Sequence, residues 1–233
     1  MNEHLPVDKT FKLFIGGTFP RSESGRTFAV RDAKGALLAN ASQASRKDLR
    51  EAVRAARGAQ ESWAGRTAYN RGQILYRAAE MMEARRPEFV SVLRQIGVTP
   101  KAASKQVDQA IDRWVWYAGW ADKTHHILGT VNPVAGPYFN FTFPEPTGVV
   151  GVMAPDEPAL LGLVSRLAAV IVSGNTAVAV VEGPASLAAI TLAEVLATSD
   201  LPGGVVNLLT GDKNELLPWM MGHLDINAVD LTG

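Results

Sequence analysis

The sequence has 233 residues, 47% of them hydrophobic, and its 23 lysines and arginines are matched by 23 aspartates and glutamates. That hydrophobic fraction supports a packed core and excludes a disordered chain. A formal net charge of zero leaves no global field to gather nucleic acid or anionic lipid, so neither is an expected partner. There is no cysteine, which excludes a disulfide framework and thiolate metal sites. A cytoplasmic location is the expectation.

Met1 to Lys12 is polar and mixed in charge, without the apolar core of a signal peptide. Leu13 to Phe19 reads as a strand entering the Gly16-Gly17 turn, Thr27 to Val30 as a second short strand, and Asp32 to Gly35 as a turn. Ser45-Arg46-Lys47-Asp48 has the side chains of a capping box. The helix it opens, Leu49 to Trp63, places Leu49, Val53, Ala56 and Ala59 on one stripe. Asn70 to Arg85 is a second helix, with Leu75, Ala78 and Met82 on one face. Pro87 suits the first turn of a third helix, which ends at Gly97. Thr99-Pro100 opens a long amphipathic helix to about Lys123, carrying Val107, Ala110, Ile111, Trp114, Ala118 and Ala121 at helical spacing. Trp114, Trp116 and Trp120 are read as core or interface packing, because no basic groove accompanies them.

Pro137 to Pro146 alternates aromatic and polar residues around Phe139, Phe141 and Phe143, as an edge ribbon does. From Gly148 onward short apolar strands at 148–154, 176–181, 204–209 and 226–231 alternate with helices at 159–173, 185–198 and 213–222. That order predicts βαβ units and a doubly wound parallel sheet, an α/β fold. Leu160 to Val181 is the most apolar stretch, but Arg166, Ser173, Gly174 and Asn175 interrupt it, so it reads as a core helix followed by a core strand and not as a membrane span. His4, His125, His126 and His223 lack metal-ligand spacing, and there is no G-x-S-x-G elbow for a serine nucleophile.

Several short motifs follow one another in a telling order: Phe14-Ile15-Gly16-Gly17, Ala52-Val53-Arg54-Ala55-Ala56-Arg57, Tyr117-Ala118-Gly119-Trp120, Glu145-Pro146-Thr147-Gly148, Ser173-Gly174-Asn175-Thr176, Leu201-Pro202-Gly203-Gly204 and Thr210-Gly211. In that order and spacing the chain resembles the aldehyde dehydrogenase superfamily from about residue 11 to its last residue. The resemblance implies an incomplete aldehyde-dehydrogenase-like fold. Residues 1–147 would form N-terminal helices with the strands of an oligomerisation ribbon, and 148–233 a partial Rossmann-like dinucleotide-binding region, interwoven as one domain. It also implies that Met153, Ala154, Pro155, Gly211 and Gly233 stand at positions that contact a dinucleotide in the family.

The site positions depart from the family. Its catalytic nucleophile is a cysteine, and none is present. Glu157 stands where the resemblance implies an asparagine amide that donates to the oxyanion; an ionised carboxylate cannot donate, and its charge repels one. An ungapped reading puts Val180 and Gly183 where the family has the lysine and glutamate that hold the adenosine ribose. Lys213 and Asn214 replace residues that let backbone approach the nucleotide. Asp156 and Glu157 also suit the first turn of a helix without any further role. Thr232-Gly233 resembles the family's Phe-Thr-Gly-Ser element, and the sequence is read as stopping before the helix that element opens, with part of a sheet face and edge unprotected.

The first reading is therefore a non-catalytic relative serving as a structural or regulatory subunit, somewhat similar to the degenerate second copy in family-16-type aldehyde dehydrogenases. It would use no cofactor, and its partner would be a second copy of itself or a catalytic aldehyde dehydrogenase subunit. The alternative is an NAD(P)-dependent aldehyde oxidoreductase fragment completed by another chain. A decayed gene product is a third reading.

Overall fold

The structure, a computed structural model, describes residues 9–32 and 34–233. Residues 1–8 of the polar leader, His4 among them, and Ala33 in the Asp32–Gly35 turn lie outside the described residues. The first helix, α1 (Arg46–Ala64), starts where its cap dictates: the Ser45 hydroxyl accepts from the Lys47 and Asp48 amides, and the Asp48 carboxylate accepts from the Ser45 amide at 2.8 Å. Its buried face carries Leu49, Ala52, Val53 and Ala56. Helix α2 (Ala68–Ala84) begins two residues earlier than Asn70, because Thr67 is the residue that caps it, accepting from the Asn70 amide at 3.2 Å. Helix α3 (Arg86–Gln95) holds Pro87 in its first turn. Helix α4 (Pro100–Trp120) buries Ala103, Val107, Ala110 and Trp114. The tryptophans divide: Trp114 is fully buried, whereas Trp116 is 59% exposed and lies 6.3 Å from the half-buried Trp120 ring. A short helix, α5 (Thr124–Leu128), follows.

The N-terminal strands β1 (Thr10–Phe11), β2 (Thr27–Arg31) and β3 (Leu37–Ser42) form a sheet in the order β1-β3-β2. The third carries no strand signal of its own, since Ala39, Asn40, Ala41 and Ser42 are weak strand formers and its pairing is imposed by tertiary contacts. The strand expected to enter the Gly16-Gly17 turn is reduced to isolated bridges, Phe14 with Leu208 and Ile15 with Thr18, and the turn is present. Gly16 and Gly17 take φ +61° and +81°, the mirror-image turn that suits a two-residue hairpin, and Ile15 and Thr18 exchange backbone hydrogen bonds across it. The turn packs on Gly203: a Cβ on Gly17 would come within 2.9 Å of the Gly203 Cα, which explains why a glycine sits on both sides. The aromatic ribbon is shorter than its sequence alternation. Only Asn140–Thr142 (β5) pairs, antiparallel to the three-residue strand β4 (Thr130–Asn132).

The second half delivers the expected α/β sheet. Strands β6 (Val149–Met153), β7 (Thr176–Val181), β8 (Val206–Thr210) and β9 (Ala228–Asp230) run parallel in the order β8-β7-β6-β9. Helices α6 (Ala159–Val172) and α7 (Ala185–Leu196) connect the first three strands, and α8 (Lys213–Met221) leads from β8 to β9. The chain steps outward from β6 to β8, then returns to pair β9 on the other side of β6. Alternate residues of each strand feed two cores. Val150, Val152, Ala177, Ala179 and Val181 join the α6 and α7 side, while Val149, Met153, Val178 and Val180 join Leu49, Val53, Ala56, Leu216 and Met220 of α1 and α8. Strands β6, β7 and β8 are buried on both faces and are largely apolar; β9, at the sheet edge, is exposed at Ala228 and half-buried at Val229 and Asp230.

Helix α6 is held at its carboxyl end by side chains from elsewhere. Arg71 of α2 is buried, with its Nε donating to the Val172 carbonyl at 3.1 Å and its Nη1 to the Ala64 and Arg66 carbonyls. Trp63 Nε1 donates to the Ile171 carbonyl at 2.9 Å. Burial lowers the Arg71 pKa from its ordinary value, yet the guanidinium stays charged at neutral pH. Substituting Arg71→Met keeps the aliphatic stem and strips the carbonyls of their donor. A loss of about 2–4 kcal/mol is expected in urea unfolding; a loss below about 0.5 kcal/mol, the usual range for a surface change, would show that the staple does not hold the helices.

Candidate functional site

The return of β9 beside β6 opens a crevice at the carboxyl ends of the strands, the usual ligand position in an open α/β sheet. Met153 ends β6 and is buried, the Ala154 amide donates to the Val180 carbonyl at 3.0 Å, and Pro155 turns the chain outward against Gly162. Gly233 lies directly on this turn: a Cβ there would fall on the Met153 carbonyl, Ala154 and the Pro155 nitrogen, so only glycine fits. Four of the five residues named from the sequence thus come together. Gly211 stands apart at the end of β8, two strands from β6. Its amide donates to the Val181 carbonyl at 3.1 Å, and a Cβ would come within 3.2 Å of the Ala44 nitrogen. Its surroundings are the N-terminal segment packed on β8.

The crevice itself is mixed in charge: Pro155, Glu157, Asp230 and Thr232 line it together with Arg113 and Arg166. Beside it, toward α7, Asp156 and Glu157 in the loop leaving β6 and Glu182 at the end of β7 line a separate cavity of about 840 Å³, closed on the other side by Ile96, Val98 and Gln106. Among its described lining residues there is no lysine or arginine. Asp156 is bonded from outside the cavity by the Lys213 ammonium at 2.7 Å. Helix α6 starts behind Pro158, which offers no side-chain acceptor. Gln106 of α4 supplies one instead, its Oε1 accepting from the Leu160 amide at 2.9 Å. Helix α8 is capped by its own Asp212, which accepts from the Asn214 and Glu215 amides at 2.7 and 3.3 Å. At the end of β9, burial pushes the Asp230 carboxyl upward, but hydrogen bonds from the Thr232 hydroxyl and amide and the charge of Arg166 outweigh it, leaving its pKa below the ordinary value. No cluster of metal-ligating residues occurs among the described residues.

Val180, read as standing at a ribose-contacting position, is fully buried between the sheet and α1. Gly183 takes φ +59° beside open space. Two residues escape a reading of the sequence alone. Glu182 follows directly on the apolar run of β7, a signal that marks a strand-end carboxylate; Gln106 carries no local signal, because its role depends on how α4 crosses α6.

The aldehyde dehydrogenase family profile matches residues 19–233. The chain belongs to the aldehyde dehydrogenase family. It is 32% identical to the cytosolic 10-formyltetrahydrofolate dehydrogenase of Mus musculus, over 98% of this chain and 26% of that protein. It is likewise 32% identical to the putative aldehyde dehydrogenase DhaS of Bacillus subtilis (strain 168), over 96% of this chain and 46% of the relative. Among solved structures, the NAD+ complex of aldehyde dehydrogenase from Bacillus cereus superposes with a TM-score of 0.89 at 30% identity, covering 95% of this chain and 45% of that one. HpcC from Thermus thermophilus gives a TM-score of 0.90 at 28% identity, covering 95% and 43%. The chain spans less than half the length of each of these relatives.

A dinucleotide brings a pyrophosphate, which needs cations or unsatisfied amides. The cavity beside Glu182 offers carboxylates, a lysine already paired and a helix start already capped by Asp212. Arg113 and Arg166 lie on the far side of Glu157, where Arg166 is paired with Asp230. The residues beside Glu182 do not fit that group. Because Gln106 caps the start of α6, which follows the loop carrying Asp156 and Glu157, Gln106→Ala should lose about 1 kcal/mol of stability and speed hydrogen exchange at the Leu160 amide. Unchanged exchange there would show that Gln106 is not the cap.

Proposed function

We propose that this chain is a non-catalytic aldehyde dehydrogenase that works as a structural or regulatory subunit in the cytoplasm. The observation that carries the reading is the acidic lining of Asp156, Glu157 and Glu182 at the carboxyl edge of the sheet. Glu157 occupies the position of an oxyanion donor, and an ionised carboxylate there raises the barrier instead of lowering it. The 233 residues also contain no thiol to attack an aldehyde. Among the described residues, no helix is long and apolar enough to cross a membrane.

One observation favours the second reading, an NAD(P)-dependent aldehyde oxidoreductase completed by another chain. Glu182 stands at the end of the second strand of the βαβ unit, where a carboxylate can take a ribose hydroxyl in doubly wound folds. Purified chain given short aldehydes and NAD or NADP separates the two. The expected result is no turnover, and calorimetry should show no binding at sub-millimolar NAD. Turnover above about 0.1 per second, within the ordinary enzyme range, or a micromolar dissociation constant supports the oxidoreductase reading instead.

The partner surface proposed for this subunit is the β4–β5 ribbon. Phe139, Phe141 and Phe143 project from one side of it in a ladder with ring centroids 5.3 and 5.8 Å apart, and all three are exposed, as are Val131 and Tyr138. A run of aromatic side chains in water on a short open ribbon is costly and favours burial against another chain. The proposed occupant is a second copy or a catalytic aldehyde dehydrogenase subunit. Light scattering should give a mass above 24.9 kDa, alone or after adding such a subunit, and Phe139→Ser with Phe141→Ser should return the monomer. A stable monomer at micromolar concentration with no shift on mixing would reject this surface.

A further inference from the structure

We propose that the Lys213–Asp156 ion pair is a strap across the carboxyl edge of the sheet, and that Lys213 is the residue that keeps a dinucleotide off this edge. The inference rests on the non-binding reading above and names the side chain responsible for it. Lys213 is the first residue of α8, directly beyond the turn that ends β8, and Asp156 lies in the loop leaving β6. Strand β7 lies between β8 and β6 in the sheet. The bond from Nζ to Oδ1, 2.7 Å long, therefore passes over the carboxyl end of β7. That is where the adenosine half of a dinucleotide rests in a doubly wound sheet, with its ribose near the strand-end carboxylate, here Glu182.

The pair is not an ordinary surface contact. The Lys213 side chain is only 14% exposed while that of Asp156 is 68% exposed, so the lysine stem lies down along the edge and does not extend into water. Its helix does not favour it there, because a cation at a helix start opposes the dipole. Asp156 supplies the compensating charge. A nucleotide entering from solvent must break the ammonium–carboxylate bond, leave Asp156 unpaired beside its phosphates, and displace the stem. An exposed pair is worth little by itself, so the packed lysine stem is the larger part of the obstacle.

The test is calorimetric titration of NAD+ into wild-type chain, Lys213→Ala, Asp156→Asn, the double variant of these two and Lys213→Arg, each checked for an unchanged melting temperature. Wild type and Lys213→Arg, which keeps the strap, are expected to show no binding up to about millimolar NAD+. Lys213→Ala alone leaves Asp156 unpaired and serves as a control expected not to bind; Lys213→Ala combined with Asp156→Asn removes stem and carboxylate together at unchanged net charge, and Asp156→Asn alone frees the ammonium. The double variant and Asp156→Asn should each bind with a dissociation constant of roughly 100 μM or below, tenfold under the millimolar limit set by wild type; should one fold poorly, the other carries the test. A folded double variant and Asp156→Asn that bind no better than a non-binding wild type overturn the strap and leave the functional reading standing. Low-micromolar binding by wild type overturns the functional reading itself, and the strap with it.

Discussion

A parallel sheet has to be buried on both faces, and here one face is covered largely from outside the βαβ units. The α6 and α7 side is closed by the crossover helices themselves. The opposite side has only the nine residues of α8, so α1, from the first half of the chain, completes it with Leu49, Val53 and Ala56. That docking is fixed by polar bonds as well as by apolar area. The Thr176 hydroxyl at the start of β7 donates to the Ala56 carbonyl at 3.1 Å, and Arg57 donates to Asn227 Oδ1 at 2.6 Å and to the Asp225 carbonyl at 2.7 Å beside β9. Asn227 Oδ1 in turn accepts from the Val149 amide that opens β6. The register of β9 against β6, and so the crevice between their ends, depends on a helix more than 80 residues upstream of β6. The capping box at Ser45 matters for the same reason, since it sets where α1 begins.

The same scaffold can present different chemistry at its carboxyl edge, because the residues there lie in loops that the core does not constrain. Met153, Ala154, Pro155 and Gly233 keep the backbone contours of a ligand crevice. The side chains next to them carry both signs, with Arg166 paired to Asp230, while the neighbouring cavity under Glu182 is acidic and its one nearby lysine is spent on Asp156. Family membership therefore fixes the fold of this chain and leaves its activity to be argued from the edge.

Much of the architecture is legible in the sequence because it is periodic or punctuated. The alternation of apolar strands and helices after Gly148 gives the parallel sheet, and Ser45, Pro87, Gly97 and Pro100 mark helix ends through backbone rules that act locally. What escapes depends on distance. Four of the six residues of strand β3 are alanine, asparagine or serine, and it exists because β1 and β2 flank it. The ribbon is cut to three residues because its partner strand has only three. At the site, the Val180 and Glu157 positions can be read from the resemblance, but not that Lys213 reaches Asp156, since 57 residues separate them and only the strand order brings them together. Gln106 and Arg71 are long-range caps of the same kind, ordinary helix residues until α6 is placed against them.

The most direct measurement of whether this edge rejects a dinucleotide is a crystal of the chain soaked in several millimolar NAD+. The expected result is an unaltered Lys213–Asp156 pair with no nucleotide density between Pro155 and Glu182. Adenosine density against Glu182, with Lys213 swung away from Asp156, would contradict it.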